Sequence, residues 1–205
     1  MRFARSPFGL ITASFLFASA PLLTACDPVS LTIGAGAATG VAAVQERGIK
    51  GVARDTAIEA RILKLWIELD KKLATSIGVE VYESRALLTG YAQTEKARAD
   101  AVKLAWKADG VKDVINEILI GPSGGVSEFA RDSSITGQLK SKLTLDGEVL
   151  AVNYAIETVR GAVYLIGIAQ SQEELDRVIR QARNISYVKR VISHVRVKAQ
   201  GEGES

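Results

Sequence analysis

The sequence predicts an α+β protein built from two tandem copies of one α-β-β-α-β unit, each with two helices packed on a small three-stranded mixed sheet. Two observations predict this fold class. The chain matches itself without a gap when it is shifted by 77 residues, which indicates two copies of one structural unit. Within each copy the apolar residues change from helical spacing to strand alternation and back in the same order.

The repeat keeps one register over 67 positions, with its apolar positions matched throughout. Gly90 aligns with Gly167, and Val111-Lys112 aligns with Val188-Lys189. The predicted boundaries are residues 55–121 for the first copy, 122–131 for a linker, 132–198 for the second copy and 199–205 for a tail. Because each core is modest at this size, the two copies are expected to support one another.

Each copy is expected to open with a helix that is capped by an aspartate, Asp55 or Asp132. Apolar residues then recur at helical spacing. Two strands follow, and the turns between them are predicted at Ser84-Arg85 and Arg160-Gly161. The sequence therefore predicts a helix and a hairpin in both copies.

Gly90 and Gly167 are expected to end the second strand of each copy. A second helix is predicted to begin near Thr94 or Ser171, and a last strand alternates apolar and polar residues. Residues expected to point inward from that strand are Val114, Ile118, Ile120, Val191, Val195 and Val197.

The leader has the composition of an export signal: Arg2 and Arg5 precede an apolar run from Phe8 to about Leu23. The run closes with Leu23-Thr24-Ala25-Cys26, which resembles the lipobox of bacterial lipoproteins. Residues 1–25 are therefore predicted to be a signal peptide, and residues 26–54 a lipidated N-terminus with a small-residue tether. A covalent diacylglycerol and an N-acyl chain on Cys26 are expected, and no other cofactor.

An ordinary secretory signal with a chance cysteine is the other interpretation of this leader. Cys26 is the one cysteine of the chain, so it has no partner for an internal disulfide. Lipidation therefore remains the favoured use of its thiol.

Charge and composition argue against several functions. Without Arg2 and Arg5 the chain carries 24 basic and 23 acidic side chains, whereas nucleic-acid binding usually needs a strong basic excess. No cluster of residues has metal-ligand or catalytic spacing in the sequence. His194 is expected on the solvated face of the last strand, where Glu117 lies in the first copy. We therefore expect a protein that is not an enzyme and that binds neither metal nor nucleic acid.

The charge is uneven between the copies. Residues 55–121 carry 10 basic and 11 acidic side chains, a net of −1, whereas residues 132–198 carry 10 and 7, a net of +3. Cations on an anionic membrane surface are each worth about 1 kcal/mol. Another interpretation is that arginines near a helix C-terminus only complement the helix dipole. The candidate phospholipid-binding residues are Lys140, Lys142, Arg177, Arg180 and Arg183.

Three segments carry a resemblance to a known family. They are the residues Gly161-Ala162-Val163-Tyr164-Leu165-Ile166-Gly167, the residues from Gly110 to Ile118, and Val188-Lys189-Arg190-Val191. With the lipobox and the tandem order, the chain resembles the dual BON-domain lipoproteins of the Gram-negative envelope. The resemblance implies a non-enzymatic factor that maintains outer-membrane integrity, acts at division sites, and binds anionic phospholipid through its second BON unit.

The chain departs from that family pattern at a few positions. Ser84-Arg85 replaces a turn glycine of the first unit, Tyr187 replaces a glycine of the second, and no aromatic residue lies near Ser134. An alternative function is that of an envelope adaptor whose first unit holds a protein partner through Trp106. The expected location is the periplasmic face of the outer membrane, although Asp27 resembles an inner-membrane retention signal.

Overall fold

The computed structural model describes residues 43–199, which form the two predicted repeats. The first contains helices α1 (Gly48–Leu69) and α2 (Lys71–Ser76), strands β1 (Ile77–Tyr82) and β2 (Arg85–Ala92), helix α3 (Glu95–Lys107), and strands β3 (Asp113–Asn116) and β4 (Leu119–Ile120). The second contains helix α4 (Val126–Leu145), a 3-10 turn (Ala151–Asn153), strands β5 (Tyr154–Val159) and β6 (Ala162–Ala169), helix α5 (Gln172–Arg183) and strand β7 (Arg190–Val197). The predicted α+β class and element order are confirmed.

Both sheets are mixed and have their second strand at the centre. Strand β1 pairs antiparallel with β2, and β3 and β4 pair parallel with β2. In the second repeat β5 is antiparallel and β7 parallel to β6. The last strand of the first repeat is thus divided into two short strands, whereas its counterpart β7 is continuous.

Two residues of the last strands do not point into a core as expected. Ile120 and Val197 are exposed, whereas Ile118 is buried and Val114, Val191 and Val195 are partly buried. The two exposed residues occupy the final rung of their strand pairs, opposite Ala92 and Ala169. At this position neighbouring side chains cover them from one side only.

Asp55 and Asp132 are not N-caps, so that prediction was wrong. Helix α1 already begins at Gly48 and α4 at Val126, and both aspartates are buried inside their helices. Helix α4 therefore starts within the predicted linker, 122–131.

Each aspartate instead holds the turn of the following hairpin. The carboxylate of Asp55 accepts hydrogen bonds from the backbone N–H groups of Glu83 (2.8 Å) and Ser84 (2.9 Å). Asp132 accepts from the two matching N–H groups of the second hairpin, at 2.7 and 2.9 Å. A charged acceptor suits this position because it satisfies both donors of a tight turn at once.

The first turn lies one residue earlier than predicted, at Glu83-Ser84, while the second lies at Arg160-Gly161 as expected. All four residues have positive φ, between 51° and 74°, as two-residue hairpins that follow the strand twist require. Ser84 adopts this conformation without the freedom of glycine.

Gly90 and Gly167 lie inside β2 and β6 and do not end them. Their φ angles are 97° and 154°, and a Cβ on either would collide with the backbone carbonyl of Ser76 or Asn153. Each glycine therefore admits a close approach of the backbone that leads into the first strand.

The side chains form three apolar layers. In each repeat the helices cover one face of the sheet, and Ala86 and Leu88, like Val163 and Leu165, are fully buried there as predicted. The third layer lies between the two sheets and is formed by Tyr82, Leu87, Val159, Ala162, Tyr164, Ile166 and Ile168. The two repeats therefore support each other through their sheets.

The sheet faces that the sequence predicted to be solvated meet each other. His194, expected as a solvated strand residue, is only 23% exposed, and its Nε2 lies 2.9 Å from Oε1 of Glu117. Both residues lie at the border of the layer between the sheets.

The segment before α1 is attached to both repeats. The Glu46 backbone N–H donates to Asn153 Oδ1 at 2.8 Å, and the Glu46 carboxylate lies 2.6 Å from Lys198 Nζ. The pKa of Glu46 is lowered mainly by this hydrogen bond from Lys198. Arg47 pairs with Asp55 at 2.9 Å in the first repeat. Residues 46 and 47 thus join the repeats at the point where the predicted tether reaches them.

Candidate functional site

The five candidate cations lie on the two helices of the second repeat. Helix α5 is well capped: the Ser171 hydroxyl accepts from the backbone N–H of Glu174 at 3.2 Å. Acidic residues occupy its first turn and Arg180 and Arg183 its last, as the helix dipole favours. The cap and the helix dipole are therefore enough to explain why acidic residues begin α5 and arginines end it, without a bound ligand.

Arg177 is already balanced by carboxylates. Its Nη1 lies 3.6 Å from Asp146 Oδ2, and the guanidinium also pairs with Glu148. Gln181 donates a hydrogen bond to the same Asp146. Arg177 therefore braces α5 against the end of α4, which leaves little of its charge for an outside ligand.

The other four candidates do not share one face. Lys142, Arg180 and Arg183 are exposed, and Lys140 is half-buried. Two residues apart on a helix means a rotation of about 200°, so Lys140 and Lys142 lie on opposite flanks of α4. The structure therefore does not gather the five cations into a single patch.

Acidic residues are interleaved with the arginines of α5. A shallow hollow beside its first turns is lined by Glu148, Ser171, Glu173, Glu174, Arg177 and Arg180. The buried Glu174 carboxylate accepts from the backbone N–H groups of Leu150 (2.9 Å) and Gln170 (2.6 Å). Burial, together with this nearby carboxylate, raises the pKa of Tyr154. The α5 face is therefore of mixed charge.

Sequence reasoning missed another group at the opposite end of the second repeat. The Arg131 guanidinium carbon lies 4.9 Å from the centroid of the Tyr187 ring. Phe129, in the first turn of α4, is also exposed. Both Phe129 and Arg131 fell within the predicted linker. Their helical spacing with Asp132 and Ile135 was the available indication that α4 begins earlier.

Trp106 projects from helix α3 of the first repeat and is 51% exposed. Trp66, by contrast, is fully buried, and its Nε1 donates to the backbone carbonyl of Ala101 at 3.0 Å. Trp106 is therefore accessible, as the adaptor hypothesis requires.

Cys26 and Asp27 lie outside the described residues. Within residues 43–199 no helix is both long and apolar enough to cross a membrane. The same part of the chain contains no group of three or more His, Cys, Asp or Glu side chains arranged to hold a metal ion.

Two α-β-β-α-β repeats that pack through their sheets define a tandem α+β module whose second repeat carries a net positive charge because it has fewer acidic side chains. The sequence pattern of the BON domain matches residues 54–122 and 131–199. The chain therefore belongs to the BON-domain family, as the resemblance had indicated.

Several curated proteins are similar over most of this chain. An uncharacterized protein in the gshII 5' region of Anaplasma centrale is 44% identical over 60% of this chain and 83% of its own length. The 21 kDa hemolysin of Actinobacillus pleuropneumoniae is 37% identical over 67% and 71%. The outer membrane lipoprotein DolP of Haemophilus influenzae is 30% identical over 80% and 85%.

Proposed function

We propose that this protein is a non-enzymatic, lipid-anchored lipoprotein of the periplasmic face of the outer membrane, and that its second BON domain binds anionic phospholipid. In this role it helps to maintain outer-membrane integrity, with division sites as one place of action. The similarity to an outer membrane lipoprotein over 80% of this chain supports the location.

The observation that carries the phospholipid proposal is the uneven charge of the two repeats. The second repeat has a net charge of +3 and the first −1, although the two share one fold. Lys142, Arg180 and Arg183 are exposed, and none of them forms an ion pair within residues 43–199. Each exposed cation close to an anionic leaflet contributes about 1 kcal/mol, so the unpaired positive charge of the second repeat favours an anionic surface for a domain that is already tethered.

The anchor rests on the lipobox that ends at Cys26. Several acyl chains on one cysteine would give permanent attachment, since each buried methylene adds about 0.8 kcal/mol. Residues 46 and 47 contact both repeats, so the tether would reach the body at their junction. Asp27 supports the inner membrane as the alternative location.

Vesicle sedimentation tests the phospholipid proposal. The lipid-free chain, residues 27–205, should sediment with phosphatidylglycerol vesicles and remain in solution with phosphatidylcholine vesicles. Binding should fade with added salt, because the screening length falls from about 10 Å at 0.1 M to about 3 Å at 1 M. Failure to bind phosphatidylglycerol even at low salt would overturn the proposal.

Fractionation of cells tests the anchor separately. Cys26→Ser should yield an unprocessed or soluble protein, since the acyl chains supply most of the membrane affinity. A Cys26→Ser protein that is processed normally and stays in the membrane pellet after a high-salt wash would contradict lipidation.

One observation favours an adaptor as a second candidate: the exposed ring of Trp106. Tryptophan is enriched among the residues that dominate protein interfaces. Because Trp66 is buried, iodide should quench mainly Trp106. Vesicle docking through the second repeat leaves that quenching unchanged, whereas a partner on the first repeat protects Trp106.

A further inference from the structure

Tyr187 lies in the loop between α5 and β7 and presents its ring to solvent. The residue is 69% exposed, and its backbone φ is 71°. This left-handed conformation is uncommon for a residue with a bulky side chain. An exposed aromatic ring on a strained backbone is unusual, because little burial offsets the strain.

The first repeat shows how the same loop is built without strain. Its equivalent residue is Gly110, with φ of 97°, and glycine adopts positive φ readily. The loops are otherwise matched, since Lys112 and Lys189 each donate a backbone hydrogen bond to the hairpin turn, at 2.9 and 2.8 Å. Strained residues that persist are concentrated at binding and functional sites.

One cation stacks on the Tyr187 ring, and a second lies near the Tyr187 backbone. Arg131 stacks on it at 4.9 Å, and the exposed Lys189 follows two residues later beside the hairpin turn. We call Arg131, Tyr187 and Lys189 the Tyr187 tip.

The carboxylates at this end of the repeat are occupied elsewhere. Asp132 is buried and accepts from the turn N–H groups of Arg160 and Gly161. Glu128 accepts from the Tyr91 hydroxyl at 2.7 Å and lies 3.5 Å from Arg160 Nε. The Tyr187 tip therefore keeps its positive charge, unlike the α5 face, where Arg177 is paired with Asp146 and Glu148.

We propose that the Tyr187 tip is the point at which the second repeat docks on an anionic phospholipid surface. The Tyr187 ring enters the headgroup layer, where amphipathic aromatic rings are favoured, and Arg131 and Lys189 lie against lipid phosphates. This inference rests on the proposed function and specifies the docking face. The charge of the tip and its small exposed ring match an anionic interface better than an apolar protein groove.

Single substitutions in the lipid-free chain test the tip, with phosphatidylglycerol vesicles as the probe. Arg131→Gln and Lys189→Gln should each weaken binding about fivefold, as expected for one cation at an anionic surface. Tyr187→Gly should weaken binding and yet raise the melting temperature, because glycine relieves the strain. If Tyr187 had only a structural role, a change that raises the melting temperature would not also weaken vesicle binding.

The repeat supplies the matched control. Lys112→Gln removes the equivalent cation of the first repeat and should leave vesicle binding unchanged. If the parent binds but the tip variants bind equally well, while Arg180→Gln or Arg183→Gln lose binding, the tip is wrong and the proposed function stands. If the parent does not bind these vesicles at all, both the tip and the phospholipid function fail.

Discussion

His194 Nε2 lies 2.9 Å from Oε1 of Glu117, and the two residues occupy the same position in the repeat, 77 residues apart. When a residue contacts its own equivalent across an interface, that interface is isologous and a two-fold axis passes near the contact. The two BON domains are therefore paired as the subunits of a two-fold dimer are, within one chain.

The His194 and Glu117 side chains should be energetically coupled. A double-mutant cycle with His194→Ala and Glu117→Ala, measured by urea unfolding, should yield a coupling of about 0.5–1 kcal/mol, because the two groups are 23% and 26% exposed. The more exposed pair of Arg196 and Glu83, at 3.8 Å, serves as the control and should couple less. Additive effects of the His194 and Glu117 substitutions would contradict the contact.

Exchanging the two turn residues should change stability in opposite directions. Ser84 has φ of 65° and a buried hydroxyl without a hydrogen-bond partner, so Ser84→Gly should raise the free energy of unfolding by about 1 kcal/mol. Gly161→Ser should lower it by more, since a Cβ there would come 2.6 Å from the Tyr187 carbonyl oxygen. Urea unfolding measures both changes. The same shift in the free energy of unfolding for Ser84→Gly and Gly161→Ser would contradict the strain proposed at Ser84.

The turn aspartates should matter to stability more than helix caps do. Asp55→Ala removes the acceptor of two turn N–H groups and the ion-pair partner of Arg47, and should cost about 3 kcal/mol or more. Asp132→Ala should cost less, about 2 kcal/mol, because no cation pairs with that carboxylate within residues 43–199. Chemical denaturation of the two variants checks the order, and a smaller loss for Asp55→Ala than for Asp132→Ala would contradict it.

Much of the fold was predictable because each apolar pattern occurs at the same position in both copies of the repeat. The apolar stripes of Ile58 and Ile62 and of Ile135 and Leu139 predicted helices, and all four side chains are buried as expected. The role of Asp55 was not predictable from a single sequence. A capping aspartate and a turn-binding aspartate look alike until the fold brings residues about 28 positions apart together.

The candidate site was less predictable than the fold. Periodicity assigns Arg177 to an exposed helix face, but the pairing with Asp146 depends on how the loop after α4 returns to α5. The sequence showed that Tyr187 replaces the glycine expected at this position. The contact of Tyr187 with Arg131, however, depends on how the loop after α5 returns to the first turns of α4.

Alkaline conditions should destabilise the protein through its buried tyrosines. Burial raises the pKa of Tyr91 to about 12 and also raises those of Tyr82 and Tyr154. Since the folded-state pKa is the higher one, this stabilisation is present below the unfolded value of about 10 and is lost as the pH rises through about 12.

Tyrosinate absorbance and circular dichroism, followed together with rising pH, check this prediction. Ionisation of the buried tyrosines should coincide with loss of structure. Tyr91→Phe should make the transition less steep, and ionisation of all five tyrosines near their ordinary pKa in a chain that stays folded would refute it.

Separating the second BON domain from the first should expose an apolar sheet face. In the whole chain Tyr164, Ile166 and Ile168 are covered by the sheet of the first repeat. A fragment of residues 126–199 should therefore bind a hydrophobic dye and self-associate, whereas residues 43–199 should do neither. Its free energy of unfolding should also be lower, since fully burying one large apolar side chain is worth about 1.5–3 kcal/mol.

Ile166→Thr and Ile168→Thr on the fragment provide the control, because they reduce the exposed apolar surface without touching the core between the sheet and the helices. Made together, the two changes should lower dye binding of the fragment but destabilise the whole chain. Four proteins are therefore compared by sedimentation and urea unfolding: the fragment and the whole chain, each with and without the two changes. A monomeric fragment that is as stable as the whole chain would show that the two BON domains do not depend on the layer between their sheets.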